Sequence, residues 1–274
     1  MSEHTVFIGG GNMGRSLIGG MIAAGASPDT VAVVELDADK RAALEQDFGV
    51  RTGAEAEPLL SAGCTLLLAV KPQGMAAAAR ALAPAVARLA PLCLSIAAGI
   101  REPDLRRWLG GECAIVRTMP NTPALVRAGI TALYANAAVT AAQRERAQAV
   151  MGAVGQTLWV EREEDLDVVT AVSGSGPAYF FHIMELLENA GCTLGLAPEQ
   201  ARRLAVGTAL GAARLAADSA HAPAQLREQV TSPGGTTEAA LGVFASGGLP
   251  ELFERAVIAA RDRSRTLAEQ LGED

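Results

Sequence analysis

The sequence predicts an α/β chain in two parts: a doubly wound parallel sheet over residues 1–162, followed by an all-helical domain over 163–274. Three observations carry this reading. Short apolar runs alternate with helical stretches through the first half, the rhythm of a parallel sheet with helices on both faces. The run Thr5–Ile8 leads into Gly9-Gly10-Gly11-Asn12-Met13-Gly14 and then an apolar helical pattern over Leu17–Ala24, which is strand, glycine turn, helix. From Glu163 onward the strand signals fade and alanine- and leucine-rich helical stretches take over.

In the glycine turn, Gly9 permits the tight bend, Gly11 lets the backbone approach a pyrophosphate, and Gly14 lets helix and strand pack closely. The next strand, Val31–Glu35, ends on an acid about 20 residues beyond the last glycine, where ribose recognition requires one. Together these features predict a Rossmann-like dinucleotide site. Glu35 can accept hydrogen bonds from a free 2′-hydroxyl and would repel a 2′-phosphate, with Asp37 and Asp39 adding to the repulsion. Lys40 or Arg41 beside them has the charge to hold a phosphate, so both cofactors stay open, with NADH favoured over NADPH.

The alternation continues through a helix near Ala38–Asp47, a strand Thr65–Val70, a helix near Met75–Leu89 and a strand Leu92–Ile96. Ligands in such sheets gather at the carboxyl ends of the strands, which places Val70-Lys71-Pro72-Gln73 and Ala97-Ala98-Gly99 on the cofactor cleft. Lys71 reads either as a solvated loop residue or as a cation for cofactor phosphate. Ile115–Arg117 and Ile130–Tyr134 read as strands around Met119-Pro120-Asn121-Thr122-Pro123-Ala124, and the two prolines exclude a helix through that loop. A helix Thr140–Val154 and a strand Gln156–Val160 complete the first domain.

Helices are expected in the second half at about 165–172, 177–190, 198–218, 222–230, 234–245 and 249–270. Their apolar faces are broader than one small bundle needs, so a second copy of the chain is expected to cover part of them. Two polar, glycine-rich helix entrances stand out. In Thr231-Ser232-Pro233-Gly234-Gly235-Thr236-Thr237, Ser232 suits an N-cap and Pro233 the first helical position. Free N–H groups, the helix dipole and threonine hydroxyls would then converge where a carboxylate can sit; the plain alternative is a capped turn. Ser173-Gly174-Ser175-Gly176-Pro177 is a second such entrance, or a hinge. The pair suggests a substrate pocket facing the nicotinamide.

Composition narrows the function. The 23 basic and 30 acidic residues leave a net charge of −7, and only 4% of residues are aromatic, so neither a phosphate-binding surface nor base-stacking platforms are expected. The apolar stretch Met75–Ile100 is interrupted by Arg80, Pro84, Arg88 and Pro91, which argues against a membrane span. The segment from Met1 has no basic region of a secretory signal, so a cytoplasmic protein is expected. Cys64, Cys93, Cys113 and Cys192 lack metal-ligand spacing and read as reduced core thiols, with no metal expected.

Phe7-Ile8-Gly9 with Gly11-Asn12-Met13-Gly14, Ala69-Val70-Lys71-Pro72-Gln73, Met119 to Pro123, Ser173 to Phe180, and Ser232 to Thr237 together resemble the pyrroline-5-carboxylate reductase family in order and spacing along nearly the whole chain. The resemblance implies NAD(P)H-dependent reduction of the cyclic imine 1-pyrroline-5-carboxylate to L-proline, by hydride transfer to the imine carbon. It also implies a domain-swapped homodimer, open to larger assemblies. By the same resemblance the substrate carboxylate lies against Ser232, Gly234, Gly235, Thr236 and Thr237, and the Thr237 hydroxyl, the catalytic candidate, reaches the ring nitrogen. A threonine is too weak an acid to supply a proton outright, so the substrate either arrives protonated or takes a proton through water. Glu163 or Glu164 reads either as an acid facing the iminium or as an ordinary exposed acid. The chain departs from the family in Glu35-Leu36-Asp37, where a small polar residue and an arginine are frequent, and in Ala54-Glu55-Ala56-Glu57, where an asparagine often contacts the cofactor.

Other functions fit less well. A β-hydroxyacid dehydrogenase uses a lysine of its second domain as acid/base, and no lysine follows Lys71 here. A lactate-type enzyme needs an activated histidine; the chain has His4, His182 and His221, with His182 read as a packed residue on a helix face. A different cyclic-imine reductase, or a nucleotide-sensing protein without chemistry, remains as the alternative; sensing alone predicts a damaged Ser232–Thr237 loop, and the loop is intact.

Overall fold

The computed structural model describes residues 4–272, which fall into two compact units. One runs to Gly174 and takes back the chain from Ala260; the other is Ser175–Ala259.

The first unit is built on an eight-stranded sheet in the order β3-β2-β1-β4-β5-β6-β7-β8. Its strands are β1 (Thr5–Ile8), β2 (Val31–Val34), β3 (Arg51–Gly53), β4 (Thr65–Leu68), β5 (Leu92–Ser95), β6 (Ala114–Met119), β7 (Gly129–Ala135) and β8 (Gly155–Trp159). The helices between them are α1 (Asn12–Ala23), α2 (Ala38–Phe48), α3 (Pro72–Leu89), α4 (Glu102–Trp108) and α5 (Ala141–Gly152). Because β1 is flanked by β2 on one side and β4 on the other, the strand order reverses at β1/β4, where a crevice opens at the carboxyl ends. The period-two geometry of each strand sorts its side chains between two cores. Val6, Ile8, Leu66 and Leu68 pack with Met75, Ala79 and Leu82 of α3, whereas Phe7, Val31, Val33 and Leu67 pack with Leu17 and Ile18 of α1 and Leu44 of α2.

The sheet is not parallel throughout. β7 runs antiparallel to β6, and β8 runs parallel to β7, so the last two strands point against the other six. The link is residues 120–128, too short for the dozen or more residues of a parallel crossover. It forms a 3₁₀ turn, Thr122–Val126, with Pro123 in its first turn, so the prolines exclude an α-helix but not this tighter one. Two elements escaped the sequence reading. β3 has only three residues and carries no hydrophobic run. α4 is short, but it has Glu102 and Asp104 in its first turn and Arg106 and Arg107 in its last, the charge order that a helix dipole favours.

After β8 the chain enters α6 (Asp165–Val169) and then a π-helical segment, Thr170–Gly174. The expected boundary after residue 162 assigns these to the helical domain, but their contacts hold them with the sheet unit. α7 (Gly176–Thr193), α8 (Pro198–Asp218), α9 (Pro223–Gln229) and α10 (Thr236–Ser246) follow, and α11 (Leu249–Gly272) ends in the sheet unit. Within Ser175–Ala259, α7 lies on α8, with Gly191 so close to Ala201 that an added Cβ would approach its methyl to 3.2 Å. Tyr179 and Phe253 meet edge to face at 6.0 Å. The buried hydrophobic side chains of this unit, among the described residues, are Ala201 and Ala205, while Phe180, Leu210, Val243 and Leu252 are all more than half exposed. No helix among the described residues is long and apolar enough to cross a membrane.

Candidate active site

The glycine turn has the geometry expected of it. Gly9 sits at φ +100°, and a Cβ there would come within 2.9 Å of the Ala69 carbonyl oxygen. A Cβ at Gly14 would approach the Gly9 carbonyl oxygen to 2.8 Å, so this glycine permits helix and turn to touch. A Cβ at Gly11 would meet nothing within 4 Å: the backbone there is open to a ligand. Gly11 caps α1 without any side-chain bond, which leaves first-turn N–H groups facing outward.

Two cavities lie along this turn. One, of about 670 Å³, is lined by Gly9, Gly11, Glu35, Leu36, Val70 and Lys71 and by the apolar side chains of Ala78, Ala81 and Leu82 of α3. Ala54, Glu55, Ala56 and Glu57, where the family often has an asparagine, also line it. The other, of about 660 Å³, is lined by Gly10, Gly11, Asn12, Met13, Val70, Lys71, Pro72 and Ala97. The fold therefore gathers all the expected cofactor residues except Gly14, whose part is packing. Lys71 stands at the N-cap of α3 with Pro72 at the helix start, and it lines both cavities.

Glu35 stands one residue past the end of β2 with its carboxylate anchored: Oε2 accepts the Gly10 N–H at 2.9 Å and Oε1 the Asp37 N–H at 3.1 Å. Arg41 is spent on backbone, its Nη1 donating to the carbonyls of Glu35 at 2.7 Å and Leu36 at 2.9 Å. Lys40 lies 3.8 Å from the Asp37 carboxylate, which itself caps α2 through the N–H groups of Asp39 and Lys40.

The segment Ser232–Thr237 lies in the helical unit and departs from the sequence reading at its start. Ser232 does not cap a helix, nor is Pro233 its first residue; α10 begins at Thr236 with Gly235 as its N-cap. Ser232 to Gly235 instead form a tight turn in which the Gly235 N–H donates to the Ser232 carbonyl at 3.0 Å and Gly234 takes φ +72°. Proline followed by a positive-φ glycine is the central pair of a type II turn, which competes with a helix start at the same residues. Gly235 must lack a side chain, because a Cβ would press within 2.9 Å of the Ser232 carbonyl oxygen. Thr237 is half-buried and Thr236 exposed, both in the first turn of α10 without a side-chain cap before them.

The second expected helix entrance is also different. Ser173 caps nothing: its Oγ donates to the Val169 carbonyl at 3.0 Å inside the π segment, and Pro177 sits in the first turn of α7, directly after that segment. Asn121 links it to the β6–β7 loop, its Nδ2 donating to the Ser173 carbonyl at 3.2 Å while its Oδ1 accepts the Ile130 N–H at 3.0 Å. From sequence Asn121 falls in a loop and in the Met119–Pro123 family motif without a role of its own; an asparagine set between Pro120 and Pro123 was the available signal.

Glu163 is neither a free acid nor an exposed one. It pairs with Arg117 of β6, 7% exposed, and its Oε1 also accepts the Glu102 N–H. Burial pulls the Arg117 pKa below its ordinary value, and Glu163 beside it opposes that pull. Asp167 joins the same network, accepting from Arg101 at 3.0 Å and from Ser264 Oγ at 2.8 Å, so the end of α11 is tied to α6 and to the start of α4. His182 is largely exposed and lies 3.0 Å from Glu185 rather than packed. The four cysteines are free, and among the described residues no group of acidic, histidine or cysteine side chains has the arrangement of a metal site.

Residues 5–99 match the family model described as F420-dependent NADP oxidoreductase, and residues 163–267 match that of pyrroline-5-carboxylate reductase dimerisation. The chain is 48% identical over 272 residues to the pyrroline-5-carboxylate reductase of Pseudomonas aeruginosa, covering 99% of each chain. Among solved structures it resembles a pyrroline-5-carboxylate reductase from Coxiella burnetii, with a TM-score of 0.94 at 42% identity over 97% of this chain and 99% of that one. It also resembles the Plasmodium falciparum enzyme solved with NADP bound, with a TM-score of 0.83 at 26% identity over 97% of this chain and 98% of that one. Similarity of this extent over both halves means that the chain belongs to the pyrroline-5-carboxylate reductase family.

Proposed function

We propose that the protein reduces 1-pyrroline-5-carboxylate to L-proline with a nicotinamide dinucleotide. The observation that carries this is the full-length likeness to enzymes of that name, with the glycine turn and the Ser232–Thr237 loop both intact. The cofactor site fits the dinucleotide: Gly11 leaves the backbone open, the first turn of α1 offers uncapped N–H groups, and Lys71 supplies a cation at the cavity wall. When bound, the nicotinamide supplies hydride.

The chain's own residues then have separable tasks. Gly9 to Met13 and the Val70-Lys71-Pro72 edge hold the phosphates, with Gly14 closing helix on turn and Ala97 at the rim. The turn Ser232–Gly235 shapes the seat of the substrate carboxylate, with the Gly234 and Gly235 N–H groups spent on Glu238 and the Ser232 carbonyl; the Ser232 hydroxyl and the N–H groups of Thr236 and Thr237 are the donors to that carboxylate, and the Thr237 hydroxyl hydrogen-bonds the ring nitrogen, so that positioning supplies most of the rate. NADH is the preferred cofactor. Glu35 is pinned by two backbone N–H groups where a 2′-hydroxyl can donate to it and a 2′-phosphate is repelled, while Arg41 is committed to carbonyls. The exposed apolar faces of the helical unit are covered by a second copy of the chain, in line with the dimerisation family matched there.

The test is oxidation of NADH and of NADPH with 1-pyrroline-5-carboxylate, for the native chain and Glu35→Ser. Turnover with an NADH preference that the substitution weakens is expected. No turnover with either cofactor would sink the assignment, and an unmoved preference would remove Glu35 from cofactor choice. Light scattering should give twice the chain mass or a multiple of it.

A further inference from the structure

The loop before α10 holds a carboxylate of its own. Glu238, the third residue of the helix, reaches back so that its Oε2 accepts the Gly234 N–H at 2.7 Å. That N–H is its hydrogen-bond partner among the described residues, and neither Arg227 of α9 nor Arg255 of α11 forms an ion pair with it. A negative charge therefore rests on the same short stretch of backbone that is read as the seat of the substrate's carboxylate.

The substrate exists in two forms. With a neutral imine it is a net anion; with a protonated imine it is a zwitterion of no net charge, and only this form is strongly electrophilic at carbon. A fixed carboxylate beside the site repels the anion, but its attraction for the iminium nitrogen offsets the repulsion for the zwitterion. We propose that Glu238 selects the protonated imine and holds its proton while hydride arrives, an inference that rests on reading Ser232–Thr237 as the substrate site. The proton then enters with the substrate, and Thr237 has only to orient the ring. Hydride forms the new C–H bond at the imine carbon, the C=N π pair becomes the nitrogen lone pair, and the neutral amine so formed takes a proton from water.

Glu238→Gln removes the charge while keeping an oxygen that can accept the Gly234 N–H, so the turn is preserved. Single-turnover reduction at saturating imine should lose rate with rising pH, and in the variant that falling limb should move about 0.5–1 pH unit lower, because the bound iminium has lost its counter-charge. The falling limb of kcat/KM, set by the free substrate, should stay. A second readout needs no turnover. By calorimetry, cyclopentanecarboxylate, a net anion with no ring nitrogen, should bind the variant about three- to tenfold more tightly, while L-proline, a zwitterion, should gain less. An active native enzyme with an unmoved single-turnover limb, or with equal changes for both ligands, overturns the role of Glu238 alone. A native chain that does not reduce the imine overturns it together with the functional reading beneath it.

Discussion

Replacing Glu163 with alanine should destabilise the sheet unit by about 3–5 kcal/mol, the cost of leaving one partner of a buried ion pair behind. The structure supports the upper part of that range. Arg117 is 7% exposed, its Nε already has no hydrogen-bond partner among the described residues, and the substitution also strips the acceptor from the Glu102 N–H. For a unit of this size each kcal/mol moves the melting temperature by about 2–4 °C, so a fall of roughly 6–20 °C is expected by differential scanning calorimetry. Glu163→Gln keeps an acceptor and should lose only about 1–3 kcal/mol. The double substitution Glu163→Leu with Arg117→Met should recover most of the alanine variant's loss, since no buried charge is left alone. The exposed pair between Arg88 and Glu57 is the control: Glu57→Ala should cost less than about 1 kcal/mol. A Glu163→Ala protein that melts within a degree or two of the native one would refute the reading of this residue as a structural counter-ion and return it to the candidates for substrate chemistry.

Gly14→Ala forces a methyl within 2.8 Å of the Gly9 carbonyl oxygen, so it should destabilise by about 1–3 kcal/mol and weaken nucleotide binding measured by fluorescence titration. The Lys40 N–H holds the Asp37 carboxyl below its ordinary pKa; such a group stabilises the fold above its unfolded pKa and ceases to as pH falls through its folded one. Acid titration of the melting temperature should accordingly be shallower at low pH for Asp37→Asn than for the native chain. Cys93 is buried and Cys113 half-buried, and the interaction between their thiols raises the Cys93 pKa and lowers that of Cys113. Burial alone raises Cys64 first among its causes. Mass spectrometry after brief alkylation should find Cys113 modified before Cys93 and Cys64, and the reverse order would contradict this pairing.

Local chemistry determined much of this protein. The glycine turn, the acid just after β2, the alternation of short apolar strands with helices, and the loss of strand signals after Glu163 each follow from backbone conformation and hydrophobic period, which neighbouring residues set by themselves. The family motifs were legible for the same reason, as short runs whose composition reflects a local backbone task. Tertiary structure decided what depends on partners distant in the chain. Glu163 reads either as an acid facing the iminium or as an exposed one, and Asp167 carries no reading, until Arg117, Arg101 and Ser264 arrive from other elements to bury and pair them. Arg41 was a free cation in sequence and is bound to carbonyls in the fold. The reversal of β7 depends on how little chain separates it from β6, and the start of α10 on a turn that outcompetes a serine cap at the same residues. Propensity ranks such local alternatives within about a kcal/mol of one another, so packing and long-range hydrogen bonds choose between them.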